Sequence, residues 1–411
     1  MRHDLMSFDV MIAGGNYVGL ALALALAQAV PGVRLAVIEP RRPDELGADG
    51  RAFAIAAAGR RLFEALGVWD EVAAVASPVV EMVITDSRLA DVVRPVFLTF
   101  EAERDGPLAH MVGNGALVAA LRRAAAAAGV VLLTDAVADF TSGAGAVEVT
   151  LAAGGRLASR LLVAADGGRS RLRGLAGIGV NRWDYGQSAV VATIRHERPH
   201  DGRAEEHFLP SGPLATLPLA DDADGRHRSS LVWAEAPAVA ERLARCDDFL
   251  FESELTRRLG QRFGTLEAVG RRAAHPLGLT LARRLVAPRL ALVGDAAHAM
   301  HPIAGQGLNL GLNDVAALAE VLADGLRLGR DPGAADLLAD YERWRLADIL
   351  RVSATADALT RLFSNDRLAL RLLRDVGLGV VDRLPPLKRW LMTAAAGPAG
   401  RAPKLTLGTR L

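Results

Sequence analysis

Asp295 stands between Gly294 and Ala296-Ala297-His298, directly after an apolar stretch at 290–293. His301-Pro302-Ile303-Ala304-Gly305-Gln306-Gly307-Leu308-Asn309-Leu310-Gly311 follows at once. This order predicts a strand ending on a carboxylate, a glycine-rich loop, and a helix that starts near Gly307. A carboxylate accepts hydrogen bonds from hydroxyls, and a helix start offers free N–H groups and partial positive charge. Together they suit a polyhydroxyl cofactor with an electron-rich ring. FAD meets both needs, with a ribityl chain to hold and a reduced isoalloxazine whose N1 side is anionic. Gly294-Asp295 alone is an ordinary turn; the full string, with Gly305, Gln306 and Gly307, carries the reading.

A second group of such residues lies near the N-terminus. An apolar stretch at 8–13 leads into Gly14-Gly15-Asn16-Tyr17-Val18-Gly19 and an Ala/Leu-rich helical run. A further apolar stretch at 34–38 ends on Glu39. This is the dinucleotide fingerprint: a tight turn, a helix end under the pyrophosphate, and an acid for the adenosine ribose. Asn16 occupies the second glycine position, where backbone must approach phosphate. Asn tolerates positive φ better than most residues, and its side chain either crowds the pyrophosphate or donates to it.

Further on, Ala165-Asp166-Gly167-Gly168-Arg169-Ser170-Arg171-Leu172-Arg173 follows the apolar stretch at 161–164. An Asx turn before an arginine-rich helix start accounts for it locally. Asp-Gly-x-x-Ser-x-x-Arg after a strand is also a pattern of flavoprotein hydroxylases. With the two motifs above, the chain resembles the FAD-dependent aromatic hydroxylases, and within them the ubiquinone-biosynthesis branch. Asp49-Gly50-Arg51-Ala52-Phe53-Ala54-Ile55 resembles the family's arginine-bearing segment at the flavin. Tyr185-Gly186-Gln187-Ser188-Ala189-Val190-Val191 and the stretch 208–219 resemble strands of its substrate sheet. Asn114-Gly115-Ala116-Leu117 keeps the Asn and Leu of a further family pattern, with small residues between them. The likeness runs from about residue 9 to the C-terminus, and 301–311 is its most branch-specific part.

The resemblance implies an FAD site built from Gly14, Gly15, Asn16, Gly19, Glu39, Arg51, Asn114, Asp166, Gly294, Asp295, Pro302, Gly305, Gln306, Gly307, Leu308 and Asn309. It implies a monooxygenase in which NADH or NADPH reduces FAD, O2 gives a flavin C4a-hydroperoxide, and one oxygen passes to an electron-rich ring. Only one dinucleotide fingerprint is present, so the nicotinamide cofactor is expected to dock transiently. The implied substrate is a polyprenyl phenol of ubiquinone biosynthesis. Two other readings stay open. One is hydroxylation of a small soluble aromatic acid, which needs a cation for the carboxylate. The other is a flavin-holding accessory subunit without activity, supported only by Asn16. No motif marks a base for the phenol; Tyr185, His207 and His298 are candidates by residue type. His207 alternates with Glu206 and Phe208 and so faces opposite to both. His298 and His301 have no third ligand of matching spacing, so no metal site is expected.

The elements that must hold these groups read as an α/β fold. An interrupted Rossmann-like FAD-binding domain is expected at 1–78, 101–180 and 271–345. A β-sheet substrate domain is expected at 79–100 and 181–270, where apolar and polar residues alternate between Pro and Gly turns. A C-terminal helical region covers 346–411, with helices expected at 337–348, 349–363 and 368–376.

At 411 residues the chain can bury a sizeable core. Its net charge of +1 and scattered arginines give no basic run for nucleic acid. Cys246 is the only cysteine, which excludes disulfides within the chain and Cys-based metal sites. A cytoplasmic setting follows from that thiol and from the absence of an apolar run of signal or spanning length. Leu384-Pro385-Pro386-Leu387-Lys388-Arg389-Trp390-Leu391-Met392 mixes apolar and cationic residues as an interfacial patch does. Peripheral contact with the cytoplasmic membrane face and a place in a ubiquinone-biosynthesis protein complex are therefore expectations too. The bland alternative for that stretch is a helix packed on its own domain.

Overall fold

Short runs of apolar residues, buried on both faces, set the first sheet. The computed structural model describes residues 7–46, 50–86, 96–102, 106–300, 306–363 and 400–411. β1 (Ser7–Ala13) leads through α1 (Tyr17–Ala29) to β2 (Leu35–Ile38). β3 (Ala52–Ala56), α2 (Ala57–Ala65), α3 (Trp69–Ala73), β4 (Ser77–Val79), β5 (Glu81–Asp86), β6 (Val96–Glu101) and β7 (Ala109–Gly113) precede α4 (Asn114–Ala127). β8 (Val131–Leu133), β9 (Val137–Ser142), β10 (Val147–Leu151), β11 (Arg156–Ala164) and α5 (Arg171–Leu175) follow. The second half holds β12 (Val180–His196), β13 (Arg203–Leu209), β14 (Gly212–Leu219), β15 (His227–Glu235), α6 (Pro237–Arg245), α7 (Asp248–Leu259) and β16 (Leu266–Ala282). β17 (Val286–Ala287), β18 (Leu290–Leu292), β19 (His298–Ala299), α8 (Gln306–Arg327) and α9 (Ala335–Phe363) complete it.

The first sheet runs β17-β18-β11-β1-β2-β8, with β10 and β9 attached beside β11. From β18 to β8 its neighbours are parallel, so the loops at the strand ends gather along one edge, where open α/β sheets bind ligands. Helix α1 has almost no polar face because it packs among β1, β2, α4 and α8. Leu20, Leu22, Leu24 and Leu26 are at most 1 % exposed, and each contributes about 1.5–3 kcal/mol by burial.

The second sheet runs β19-β16-β12-β15-β14-β13-β5-β6, and a small sheet runs β3-β7-β4. One face of the second sheet is covered by α6 and α7. Val190, Leu209, Leu214, Leu231 and Trp233 pack there with Leu243, Phe251 and Leu255. The other face looks back toward the small sheet, where Ala204 meets Val79 and Met111, with Ala54 and Leu217 beside them.

The structure corrects several expected boundaries. β16 continues past residue 270 to Ala282, because its second half pairs with the first half of the equally long β12. The two helices expected at 337–348 and 349–363 are one helix, α9; no Pro or Gly interrupts it. The helix at 368–376 and the patch at 384–392 lie outside the described residues.

Candidate active site

The turn between β1 and α1 depends on its glycines. Gly14 has φ +117°, and a Cβ there would lie 2.2 Å from the carbonyl oxygen of Ala165 at the end of β11. A Cβ on Gly19 would lie 1.9 Å from the carbonyl oxygen of Gly14. Only glycine lets the helix start this close to the strand ends. The Gly15 N–H donates to Glu39 Oε2 at 2.8 Å, and Arg41 Nε donates to Glu39 Oε1 at 2.7 Å. The Arg41 N–H also donates to Oε1 at 3.2 Å and Arg41 Nη2 to Oε2 at 3.4 Å, so a ribose hydroxyl would take the place of the longest of these four bonds.

Asn16 differs from expectation. Its φ is −87°, so no left-handed conformation is needed, and it is the N-cap of α1. Its Oδ1 accepts from the Tyr17 N–H at 2.8 Å. Side-chain oxygens at this position commonly satisfy the helix start. The oxygen is committed to the helix, and the amide Nδ2 is the part able to donate to a phosphate. The first turn of α1 carries no acidic residue, which suits an anion at its positive end.

The flavin-side motif is a tight turn, Gly294–Ala296, that follows β18. Gly294 has φ +60°. Gly294 and Ala296 are buried, and Asp295 is exposed between them. Its carboxyl opens on the cleft, yet enough protein surrounds it to strip hydration. That loss raises its pKa; the His298 and Arg51 side chains oppose the rise, and Asp314 adds to it.

A buried polar network fixes this turn. Asp314 Oδ2 accepts from the Gly294 N–H at 2.9 Å and lies 2.5 Å from His298 Nε2. Arg345 Nε donates to Asp314 Oδ1 at 2.8 Å, and Arg345 Nη1 donates to Asp348 Oδ2 at 2.8 Å. Burial works against the Asp314 charge, but His298 and Arg345 outweigh it and hold its pKa below the usual range. Arg173 links the Asp166 motif to this turn, donating to the carbonyl oxygens of Ala296 at 2.8 Å and Gly168 at 3.1 Å. Asp166 Oδ2 accepts from the N–H groups of Arg171 and Leu172 at the head of α5. Its Oδ1 is buried without a hydrogen-bond partner among the described residues.

The head of α8 is tied to β3. Asn309 Nδ2 donates to the Ala54 carbonyl and its Oδ1 accepts from the Ala56 N–H, both at 3.0 Å. The Asn114 N–H donates to the Arg51 carbonyl at 2.8 Å, so the Arg51 and Asn114 segments lie side by side. The Asn309 side chain thus holds backbone whatever else it touches, whereas the Asn114 link is a main-chain bond. Leu308 is buried in the core, so its backbone N–H is what it can offer a cofactor. Gly307 has no crowding neighbour: a Cβ there would meet only Met300 Cγ, at 3.9 Å. Among the described residues nothing around Gly307 requires a glycine. Pro302, Gly305 and His301 lie outside the described residues.

The three candidate bases separate. His298 is fully buried, and its Nε2 is engaged with Asp314, so it positions the Asp295 turn. His207 shares its face of β13 with Glu205 and Leu209, the face under α6 and α7. Its Nδ1 pairs with Thr85 Oγ1. It therefore points away from the cleft. Tyr185 lies on the cleft face, packed against Ala189, Ala234 and Leu277; its hydroxyl donates to Asp357 Oδ1 on α9 at 2.9 Å. Among the described residues no group of three or more His, Cys, Asp or Glu could hold a metal.

Sequence reasoning missed Asp314, Arg345 and Glu206. Asp314 and Arg345 carried one signal, a charged residue on the apolar side of a helix. Glu206 carried another, an acid alternating in phase with Ala204 and Phe208.

The residues present fit a bound FAD. Glycines open the turn, the positive end of α1 meets the pyrophosphate position, and Glu39, Asp295 and Asp166 Oδ1 supply acceptors. Comparison with known proteins agrees. The FAD binding domain family model matches residues 7–356. The ubiquinone hydroxylase UbiL of Rhodospirillum rubrum is 44 % identical over 402 residues, covering 96 % of this chain and 91 % of that protein. The 3-demethoxyubiquinol 3-hydroxylase of Escherichia coli is 35 % identical, covering 95 % of this chain and 98 % of that protein. In fold, the p-nitrophenol 4-monooxygenase PnpA of Pseudomonas putida superposes with a TM-score of 0.77 at 20 % identity, covering 99 % of this chain and all of that one. Fold, site and comparisons agree that this chain belongs to the FAD-dependent aromatic monooxygenases, in the branch of the ubiquinone-biosynthesis hydroxylases.

Proposed function

We propose that the chain hydroxylates the ring of a neutral polyprenyl phenol in ubiquinone biosynthesis. One observation carries the choice of a neutral ring. A row of side chains crosses the cleft face of the second sheet: Ile84, Glu206, Ala215, Val232, Val191 and Ala273, in register on six strands. All but Glu206 are small or apolar, and the row holds no cation. An aromatic acid would bring its carboxylate against Glu206 with nothing there to neutralise it. A hydroxylated, alkylated ring fits such a surface, and the names of the relatives support the same substrate class.

FAD, when bound, takes electrons from NADH or NADPH and uses them to activate O2 for transfer of one oxygen atom to the ring. The chain's own residues bind, orient and exclude water. Glu39, Asp295, Asp166 and Arg51 would hold FAD, with backbone N–H groups at the starts of α1 and α8. The Asp314 network keeps the Asp295 turn from moving, and the apolar row orients the ring and keeps water from it. Among the described residues no helix is long and apolar enough to cross a membrane. A long prenyl tail favours work at a membrane face or in a complex that delivers the substrate. That is part of the proposal, with Trp390 and its neighbouring Lys388 and Arg389 as the patch to examine.

The test is product analysis with purified FAD-loaded protein, either nicotinamide cofactor and O2. Coupled hydroxylation of a short-chain prenylated phenol is expected, with no product from hydroxybenzoates. Efficient turnover of a small aromatic acid, with prenylated phenols ignored, would replace this reading with the soluble-acid one.

A further inference from the structure

Glu206 is the one ionisable side chain in the row that crosses the cleft face. It pairs in register with Ala215 on β14 and Ile84 on β5. Ala204, one same-face step away and about 6.6 Å along the strand, packs in the cluster that holds Ala54. Ala54 is the residue whose carbonyl Asn309 ties to the head of α8. Glu206 thus lies close to the end of the cleft where the flavin motifs meet. It is 6 % exposed, yet among the described residues its carboxylate has no hydrogen bond or ion pair. Buried carboxylates are normally paired or hydrogen-bonded. A carboxylate of no use to the fold is kept in an apolar wall facing the substrate space.

We propose that Glu206 is the catalytic base of the hydroxylation, taking the proton of the substrate's phenolic hydroxyl. This rests on the phenol reading above. The O–H bond breaks, its electron pair stays on the ring oxygen, and the proton passes to a Glu206 carboxylate oxygen. The ring becomes more nucleophilic as the oxygen atom derived from O2 reaches it. When the ring regains aromaticity, the hydrogen on the newly oxygenated carbon leaves as a proton, which the second oxygen atom of O2 takes up on its way to water, and Glu206 returns its proton to the ring oxygen. The carboxylate ends as it began, so the cycle balances.

The surroundings suit the task. The described side chains on that face and packed against it include Met82, Ile84, Ala215, Leu217, Ala54 and Met111, none of them ionisable. Glu205 and His207 point to the opposite face. Burial alone pushes the Glu206 carboxyl up to about 7, where a base exchanges protons readily at neutral pH.

Glu206→Gln keeps the volume and removes the ionisation. With FAD loaded, wild-type hydroxylation is expected to rise with pH through about 7. Glu206→Gln should lose that rise and about 10²-fold of the rate above it, while flavin absorbance and substrate binding persist. Glu206→Asp keeps an ionisable group and should recover part of the rate with a pH-dependent limb. An infrared band of a protonated carboxyl, read without substrate, should titrate near 7 in the wild type and be missing in Glu206→Gln. An unchanged rate and pH profile in Glu206→Gln, or an unchanged carboxyl band, overturns the assignment. A wild type that holds FAD but leaves prenylated phenols unchanged overturns the substrate reading instead. The Glu206 comparison is then made on the phenol the wild type does accept.

Discussion

Asp314 and Gly294 are joined by one hydrogen bond, the Gly294 N–H donating to Asp314 Oδ2 at 2.9 Å. Through it the helix that begins beside Gly307 also holds the turn that presents Asp295. The same carboxylate meets His298 and Arg345, so strand end, turn and helix move as one body. A single buried acid thus ties the Asp295 turn to His298 and to Arg345 on α9.

That arrangement makes Asp314 costly to remove. Asp314→Ala leaves Arg345 Nε and the Gly294 N–H buried without their acceptor, with Asp348 still holding the other side of the guanidinium. Losing one member of a buried ion pair costs about 3–5 kcal/mol. Urea unfolding of the apoprotein measures it, and a loss below about 1 kcal/mol would show that the network is not structural.

Asp295 predicts a binding effect without a folding effect. It is exposed in the cleft, so Asp295→Ala should leave the apoprotein's melting temperature nearly unchanged. FAD affinity should fall by about one to two decades, the worth of a charge-assisted hydrogen bond. Full FAD occupancy after dilution and gel filtration would contradict the assignment.

Asn16 separates its two roles through two substitutions. Asn16→Asp keeps an acceptor for the Tyr17 N–H but brings an anion to the pyrophosphate position. FAD should bind at least about tenfold more weakly. Asn16→Ala loses the cap, about 1 kcal/mol of stability. Equal dissociation constants for wild type and Asn16→Asp would put the pyrophosphate elsewhere.

Gly19 and Gly307 should respond in opposite ways. Gly19→Ala forces a Cβ to 1.9 Å from a backbone oxygen, and the β1–α1 turn cannot yield without opening. Reduced folded yield is expected. Gly307→Ala meets no close neighbour among the described residues, so the fold should keep its stability to within about 1 kcal/mol. The loss should appear as slower flavin reduction by NADH or NADPH, followed by stopped-flow absorbance; wild-type kinetics would remove Gly307 from the flavin site.

Glu206 also predicts a pH-dependent stability. Its carboxyl keeps a proton up to about 7 in the folded chain and only to its ordinary 4.5 when unfolded. Between those values the folded chain binds the extra proton, so this site's contribution to stability falls as pH rises. The shift corresponds to about 3 kcal/mol. Urea unfolding should show Glu206→Gln gaining on the wild type as pH rises through this window, with the gain complete above 7. A pH-independent difference would mean that the carboxyl is not buried in solution.

Sequence order alone determined the α/β class, the glycine turn before α1, and the strand ends that carry Glu39, Asp166 and Asp295. These are local signals: strand, turn and helix follow one another within a few residues, and the residue types in the turn state its chemistry. Tertiary structure decided what depends on distant partners. Asn16 reads as a positive-φ residue until its own helix uses it as a cap. His298 reads as a base until Asp314, on another element, takes its ring nitrogen. His207 and Glu206 alternate visibly in sequence, but which side is the cleft depends on where α6 and α7 pack. Strand alternation gives two faces and no labels; only the packed helices assign one face to the core, leaving Glu206 on the other.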